Sequence, residues 1–358
     1  MKLHVAAVFL LGLAPASIAR GQVAADPPSA EAQASASLAE RLARHPIGRP
    51  NKHPREAARE RLFLLDVTSG SARPIADEPA PGSIVCGSPC WSADGRRILF
   101  TACPPATGPS LPHIWSIELA DEPGMSRDLG PGHDPSLSPD GRRIAFLSND
   151  PGTQLGVHLM DADGSGRYTL RSKLGFFGRP SWSPDGRQIL VVNYCTPPSA
   201  DLVDSLTAKS RSVELSGRRF RDAPAWAGPD LLVAAIGADG ADAVALIDVG
   251  LPKTSPIAIP VANPSFGPAK VRELLWEKGD GPDLNPGPAI YHAGTGRCVF
   301  VDRRPGSEHL MTVVAGDPSP PKRLDPDGSF TSITGLAFSP DGRYVLFSGN
   351  HGGDAAPR

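Results

Sequence analysis

The sequence predicts an all-β fold, a six-bladed β-propeller of four-stranded blades. Three observations predict it. A strand, a tight turn and a second strand recur as WSADGRRILF (91–100), LSPDGRRIAF (137–146), SWSPDGRQILV (181–191) and FSPDGRYVLF (338–347). The spacing lies in the forties, the length of one four-stranded propeller unit. The chain also carries 38 glycines and 40 prolines in 358 residues, which suits a turn-dense fold and not long helices.

The turn in each motif has a mechanism. Proline presets φ at the second position, aspartate bonds its own backbone, and glycine takes the left-handed position that closes the hairpin. Weaker copies start at Ala225 (AWAGPDLLVAA) and Ala289 (AIYHAGTGRCVFV). Counting from Trp91 through Leu137, Trp182, Trp226 and Tyr291 to Phe338 gives steps of 46, 45, 44, 65 and 47 residues. The long step locates an insertion, expected at 263–287.

The ends predict how the ring closes. The last motif supplies two strands before the chain stops at Arg358, and RLFLLDV with SARPI (61–75) is a strand pair without a preceding Asp-Gly hairpin. Each half leaves a raw sheet edge, an aggregation hazard that pairing removes. Residues 61–75 are therefore expected to pair with the hairpin at 336–349, and 61–349 to be the propeller.

Ahead of it, residues 1–21 have the charged start, short apolar run and small cleavage residues of a secretory signal, with cleavage before Gln22. Their apolar run is too short to span a membrane, and no lipid-anchor cysteine follows the cut. Residues 22–60 are rich in Ala and Pro and read as a mobile leader, and 350–358 as a flexible tail. The expected location is periplasmic or secreted. A net charge of −2 with mixed signs argues against nucleic acid or anionic lipid as partner.

The WSPDGR hairpins, the four-stranded units, the export signal and the N-to-C closure together resemble the TolB-like, WD-like β-propeller repeats. The resemblance implies an extracytoplasmic six-bladed propeller, usually a platform for binding protein. TolB itself has an α/β domain ahead of its propeller, where this chain has a short leader. The repeats also occur in propellers of prolyl oligopeptidase-like peptidases and of some polysaccharide lyases.

The chemistry expected is binding. No G-x-S-x-G elbow occurs, which argues against a peptidase. Asp94, Asp140, Asp185 and Asp341 are turn residues, one per unit, and Arg96, Arg142, Arg187 and Arg343 follow them along the rim. Asp161-Ala162-Asp163-Gly164 lacks the later ligands of a calcium loop and reads as a hairpin. Histidines 113, 133, 158, 292 and 309 form no HxxxH pair, so neither metal nor cofactor is expected.

Three sets of residues remain as sites. The residues entering the first strand of each blade, Ser88, Asp134, Arg179, Ala223, Gly287 and Gly335, ring one channel mouth. Ser88, His133, Asp134 and Arg179 make it polar and mixed in charge on one side, and the residues on the other side are small. Leu275 and Trp276 in the insertion are candidate anchors for a partner. Cys86 and Cys103 flank the first hairpin. A two- or four-residue loop places them opposite one another for a disulfide, and a three-residue loop places them on opposite faces.

The expected function is that of a monomeric envelope scaffold for a protein or peptide. The alternative is a propeller enzyme, a polysaccharide lyase or hydrolase, acting at the mouth.

Overall fold

The computed structural model describes residues 60–351 apart from 76–79, 81–82, 104–110, 120–125, 149–155, 173–178, 194–198, 239–240, 250–268, 279–283, 305–306 and 326–329. The signal, the leader up to residue 59 and the tail from 352 lie outside the described residues. All described residues belong to one compact unit, Arg55–Arg358.

The chain opens with β1 (Arg61–Asp66) and β2 (Ala72–Pro74). A first antiparallel sheet follows, β3 (Ile84–Trp91), β4 (Arg97–Cys103), β5 (His113–Glu118) and β6 (Ser126–Pro131). The second is β7 (His133–Leu137), β8 (Arg143–Ser148), β9 (Gly156–Asp161) and β10 (Tyr168–Ser172). The third is β11 (Ser181–Trp182), β12 (Gln188–Asn193), β13 (Ser199–Asp204) and β14 (Ser210–Val213). In the fourth, β15 (Arg219–Phe220) and β16 (Ala225–Gly228) share the first position, followed by β17 (Leu231–Ala238), β18 (Ala241–Asp248) and β19 (Lys270–Glu277). The fifth group is β20 (Pro286–His292), β21 (Arg297–Arg304), β22 (Ser307–Val314) and β23 (Lys322–Arg323). The last begins with β24 (Phe330–Phe338) and β25 (Tyr344–His351).

β25 pairs antiparallel with β1 from Arg61↔Gly349 to Asp66↔Tyr344, and β1 pairs with β2. The last group is thus β24, β25, β1 and β2, drawn from both ends of the described chain. One residue pair, Glu308↔Phe330, joins it to the fifth group.

The Asp-Gly turns are built as their residues dictate. In the second sheet Ser138 Oγ donates to Asp140 Oδ1 at 2.6 Å, Arg142 N donates to the same oxygen, and Arg143 N donates to Ser138 Oγ. The bonds recur around Asp94, Asp185 and Asp341. Gly186 closes its turn with φ of 71°, a region costly for any residue with a Cβ. Three aspartates, 94, 140 and 341, are held below the ordinary carboxylate range, first by the serine hydroxyl and then by the arginine backbone N–H. These are structural residues, as the turn chemistry implies.

Strands buried on both faces supply the core between successive sheets. Leu99 and Ile114 meet Leu137 and Phe146, Leu147 and Val157 meet Trp182 and Val191, and Leu190 and Leu202 meet Leu232 and Ile247. Val244 meets Phe300 and Met311, while Val301 and Leu310 meet Phe347 and Phe63. Leu62 and Leu346 of the last group meet Ile98 and Phe100 of the first sheet.

One sequence expectation needs correction, and the register around the candidate disulfide differs from a simple count. Residues 270–277 are not an addition to the repeat. They form β19, the fourth strand of its sheet, and the unusually long connection is the one between β18 and β19. The first hairpin does have a four-residue loop, closed by Ser92 N donating to Arg97 O. Bulges at Gly87 and Cys90 then shift the register, so that Cys103 faces Ile84. Cys103 is in a disulfide, while Cys90 and Cys298 are free. The side chain of Cys86 lies outside the described residues.

Candidate functional site

The site is built where first strands begin, the mouth end of each sheet. Here the chain leaves regular pairing. Bulges interrupt β3 against β4, β7 against β8, β20 against β21 and β24 against β25. Ser88 and Asp134 adopt φ of 55° and 53°, left-handed values that are uncommon away from glycine. The equivalent residue of the last group is Gly335, at 58°. A bulged residue in this conformation turns its side chain out of the ladder, which sets Ser88 and Asp134 toward one another.

Their side chains meet. Ser88 Oγ donates to Asp134 Oδ1, and the His133 ring Nδ1 stands 2.8 Å from Asp134 Oδ2. Asp134 N donates to Thr101 Oγ1 at 3.0 Å, fixing the backbone from the first sheet. Burial pushes the Asp134 carboxyl up, but His133, Ser88 and the Arg179 guanidinium together outweigh it and hold the group below its ordinary range. The Arg179 charge also lowers the proton affinity of the buried Cys90 thiol, which burial raises by more. Four residues expected at the mouth, Ser88, His133, Asp134 and Arg179, are therefore brought together from three sheets.

The other half of the mouth carries Ala223, Gly287 and Gly335, small as expected, and charged side chains from other strands lie over it. Arg303, near the end of β21, lies across Gly287, where an added Cβ would stand 2.9 Å from its Nε. Its Nη1 donates to Asp222 Oδ2 at 2.5 Å, and its Nε is 3.9 Å from Glu308 Oε1. Glu308 Oε2 in turn accepts from Ile333 N. The small residues make room for a charged chain from the fourth sheet through the fifth to the last. Sequence position alone missed it because Arg303 and Glu308 sit on second and third strands. The usable signal is hairpin register, since the far end of each second strand returns to the mouth, as Thr101 does opposite Gly87.

Glu60, just before β1, adds a further polar group. Its Oε1 accepts from Thr334 Oγ1 at 2.6 Å and lies beside Gly87.

The anchors expected in the insertion are not surface residues. Trp276 is 3% exposed, packed with Val244 and stacked on Phe300 at 6.5 Å between ring centres. Leu275 is partly buried against the same cluster. Two register shifts break the alternation of β19, and its exposed apolar side chains are Val271 and Leu274 instead. The remaining histidines have local partners: His113 meets Asp128, His158 meets Thr169, His292 meets Pro340 O, and His309 meets Asp325. Among the described residues, no group of three or more His, Cys, Asp or Glu side chains is placed to hold a metal, and no helix is long and apolar enough to cross a membrane.

Four-stranded antiparallel sheets packed through successive cores, with a polar cluster where first strands begin, have the arrangement of a β-propeller. Comparison with known proteins agrees. The sequence is 30% identical over 125 residues to the Tol-Pal system protein TolB of Anaeromyxobacter dehalogenans, covering 34% of this chain and 26% of that protein. It is 29% identical over 146 residues to an uncharacterised protein of Agrobacterium fabrum, covering 37% of this chain and 47% of the relative. A solved structure of a putative TolB from Agrobacterium tumefaciens superposes with a TM-score of 0.58 at 15% identity, over 83% of this chain and 99% of that one. No protein-family model matches. The propeller is TolB-like, and the matched region spans about a quarter of the TolB relative and about half of the other.

Proposed function

We propose that this chain is an exported six-bladed propeller whose mouth binds a segment of an envelope protein or a peptide. Residues 1–21 direct export, 22–60 form the leader, and β1–β2 close the ring on β24–β25. The closure is supported by the core that Leu62 and Leu346 share with Ile98 and Phe100. Gly95 of the first sheet also lies against Pro340 of the last, as Gly186 lies against Pro139 between the third and second.

The observation that carries the binding reading is the convergence of Ser88, His133 and Asp134 on strained backbone. Left-handed non-glycine residues are costly and persist where the surroundings hold them, often at ligand sites. The likeness to TolB supports a protein as the partner class.

The enzyme reading draws on the same convergence, but the geometry favours binding. Ser88 directs its hydroxyl hydrogen at Asp134 and not at an imidazole, and a carboxylate with lowered proton affinity is a poor general base.

The test is capture from an envelope fraction with the mature chain as bait, compared with Asp134→Asn and Ser88→Ala. Asp134→Asn should weaken capture by about tenfold or more, with a thermal midpoint within a few degrees. Equal capture by all three proteins overturns the mouth as binding site. The same material should begin at Gln22, read by N-terminal sequencing. Retention of residues 1–21 overturns export by cleavage.

A further inference from the structure

Each Asp-Gly hairpin turn contains a reactive pair. The glycine nitrogen can attack the aspartate side-chain carbon, because no Cβ on the glycine obstructs the approach. A C–N bond forms, and the carboxyl hydroxyl leaves as water with the amide hydrogen. The cyclic imide then takes up water again. Where it opens at the former backbone carbonyl, the chain runs on through the side chain as isoaspartate. Asp94, Asp140, Asp185 and Asp341 are exposed, so water has access to all four.

The turns hold both reacting groups in place. Ser92, Ser138, Ser183 and Ser339 donate their hydroxyls to Oδ1 of these aspartates at 2.5–2.6 Å. The N–H groups of Arg96, Arg142, Arg187 and Arg343 donate to the same oxygens at 3.0–3.1 Å. The nucleophile is held separately. Gly95, Gly141, Gly186 and Gly342 donate their N–H to the carbonyl oxygens of the same four serines at 2.9–3.0 Å. Asp163 and Gly164 are restrained alike by a serine on the other side. Ser165 gives Asp163 Oδ1 its hydroxyl and its N–H, and Gly164 N donates to Asp161 O. The bonds to Oδ1 also favour the ionised carboxyl, and the serine hydroxyl is the main reason that Asp94, Asp140 and Asp341 hold a proton less readily than an ordinary aspartate. An ionised carboxyl is the poorer electrophile, because its oxygen has to leave as water.

We propose that these four turns are latent isoaspartate sites, each kept closed by its serine. Bringing the glycine nitrogen onto the side-chain carbon breaks the bond from glycine to the serine carbonyl and both bonds to Oδ1. Isoaspartate would add a backbone atom inside the hairpin. At Asp140 that hairpin joins β7 to β8, the strand pair that carries Asp134 at its other end. The protection is independent of what the mouth binds.

The test holds the whole mature chain at neutral pH for several weeks and measures isoaspartate at each turn by peptide mapping with electron-transfer fragmentation. The reference is a terminally blocked peptide of residues 136–145, in which the same pair has no fixed partners. Asp140 should isomerise about tenfold or more slowly in the folded chain than in the peptide. Ser138→Ala removes one donor to Oδ1 and keeps the carbonyl that holds Gly141. It should speed the reaction at Asp140 by about tenfold and leave Asp185 at the wild-type rate, while Ser138→Thr, which keeps the hydroxyl, should match the wild type. If Ser138→Ala does not fold, Asp140→Asn carries the test, since it keeps Oδ1 and reacts through the same imide with loss of ammonia. It should lose ammonia about tenfold or more slowly in the chain than in the corresponding peptide. Equal rates in chain and peptide overturn the proposal, as does a folded Ser138→Ala chain in which Asp140 is unchanged or rises together with Asp185.

Discussion

Replacing Gly287 by alanine tests whether the small residues of the mouth are there to seat Arg303. The added Cβ would stand 2.9 Å from Arg303 Nε and 3.1 Å from its Cδ, closer than packed carbon tolerates. Backbone is not in the way, so the arginine side chain moves. Moving it breaks the 2.5 Å bond to Asp222, a carboxylate that is 6% exposed and keeps only the Ala223 N–H. A hydrogen bond to a charged group contributes about 1.5–3 kcal/mol, and the partly exposed guanidinium lets water recover some of it, leaving about 1–2. Gly287 is outside the left-handed region, so alanine there also restricts the unfolded chain, worth about 0.4–1 kcal/mol in the other direction. The net expectation is a loss of about 0–1.6 kcal/mol by urea titration. The decisive measurement is the same change in an Arg303→Met background. With no guanidinium to displace, Gly287→Ala should become neutral or stabilising by up to about 1 kcal/mol. An equal loss in both backgrounds refutes the seating argument.

Two other substitutions test residues whose roles the fold assigns. Gly186→Val places a β-branched residue at φ of 71° and should cost about 1–3 kcal/mol in urea, whereas unchanged stability means the turn tolerates another conformation. Trp276→Ala should cost about 3–5 kcal/mol, because it empties a site packed between Val244 and Phe300, and a melt like that of the wild type returns Trp276 to the surface.

What was legible in the sequence was what short-range chemistry writes down. The Asp-Gly turns are self-contained. Ser138, Asp140 and the following two N–H groups close their own bonds within six residues, so the motif signals itself wherever it stands. The pairing of 61–66 with 344–349 was legible for a different reason. Two half-units with raw edges at opposite ends of a chain have one economical way to remove them. The mouth was half legible. Ser88, Asp134 and Arg179 share a position in the repeat, so counting finds them. Arg303 and Glu308 share no repeat position with these three and reach the mouth only through the register of β21 and β22. The bulges explain the rest. Each one shifts register by a residue, so the straightforward count that set Cys86 opposite Cys103 fails after Gly87 and Cys90. Trp276 was misassigned because Pro- and Gly-rich flanks mark off a strand as readily as an inserted loop, and only pairing with β18 separates the two.

The bulges that defeat counting also make the site. A regular first strand alternates its side chains between the two faces of its own sheet and offers none to the neighbouring sheet's entrance. An extra residue in the left-handed region breaks that alternation at one point, and a side chain there is free to reach across. Ser88 and Asp134 do so from adjacent sheets, and their hydrogen bond helps hold the conformation that points them together. At Gly287, which is outside the left-handed region, the space goes to Arg303 from the next strand. The side chains that reach between sheets are therefore found at the irregular end, while the opposite end, built from self-closing Asp-Gly turns, keeps its carboxylates occupied with their own backbone. One repeat thus yields a conserved-geometry turn face and a variable mouth, and a change at 88, 134 or 287 alters what the mouth presents without touching the turns that fold it.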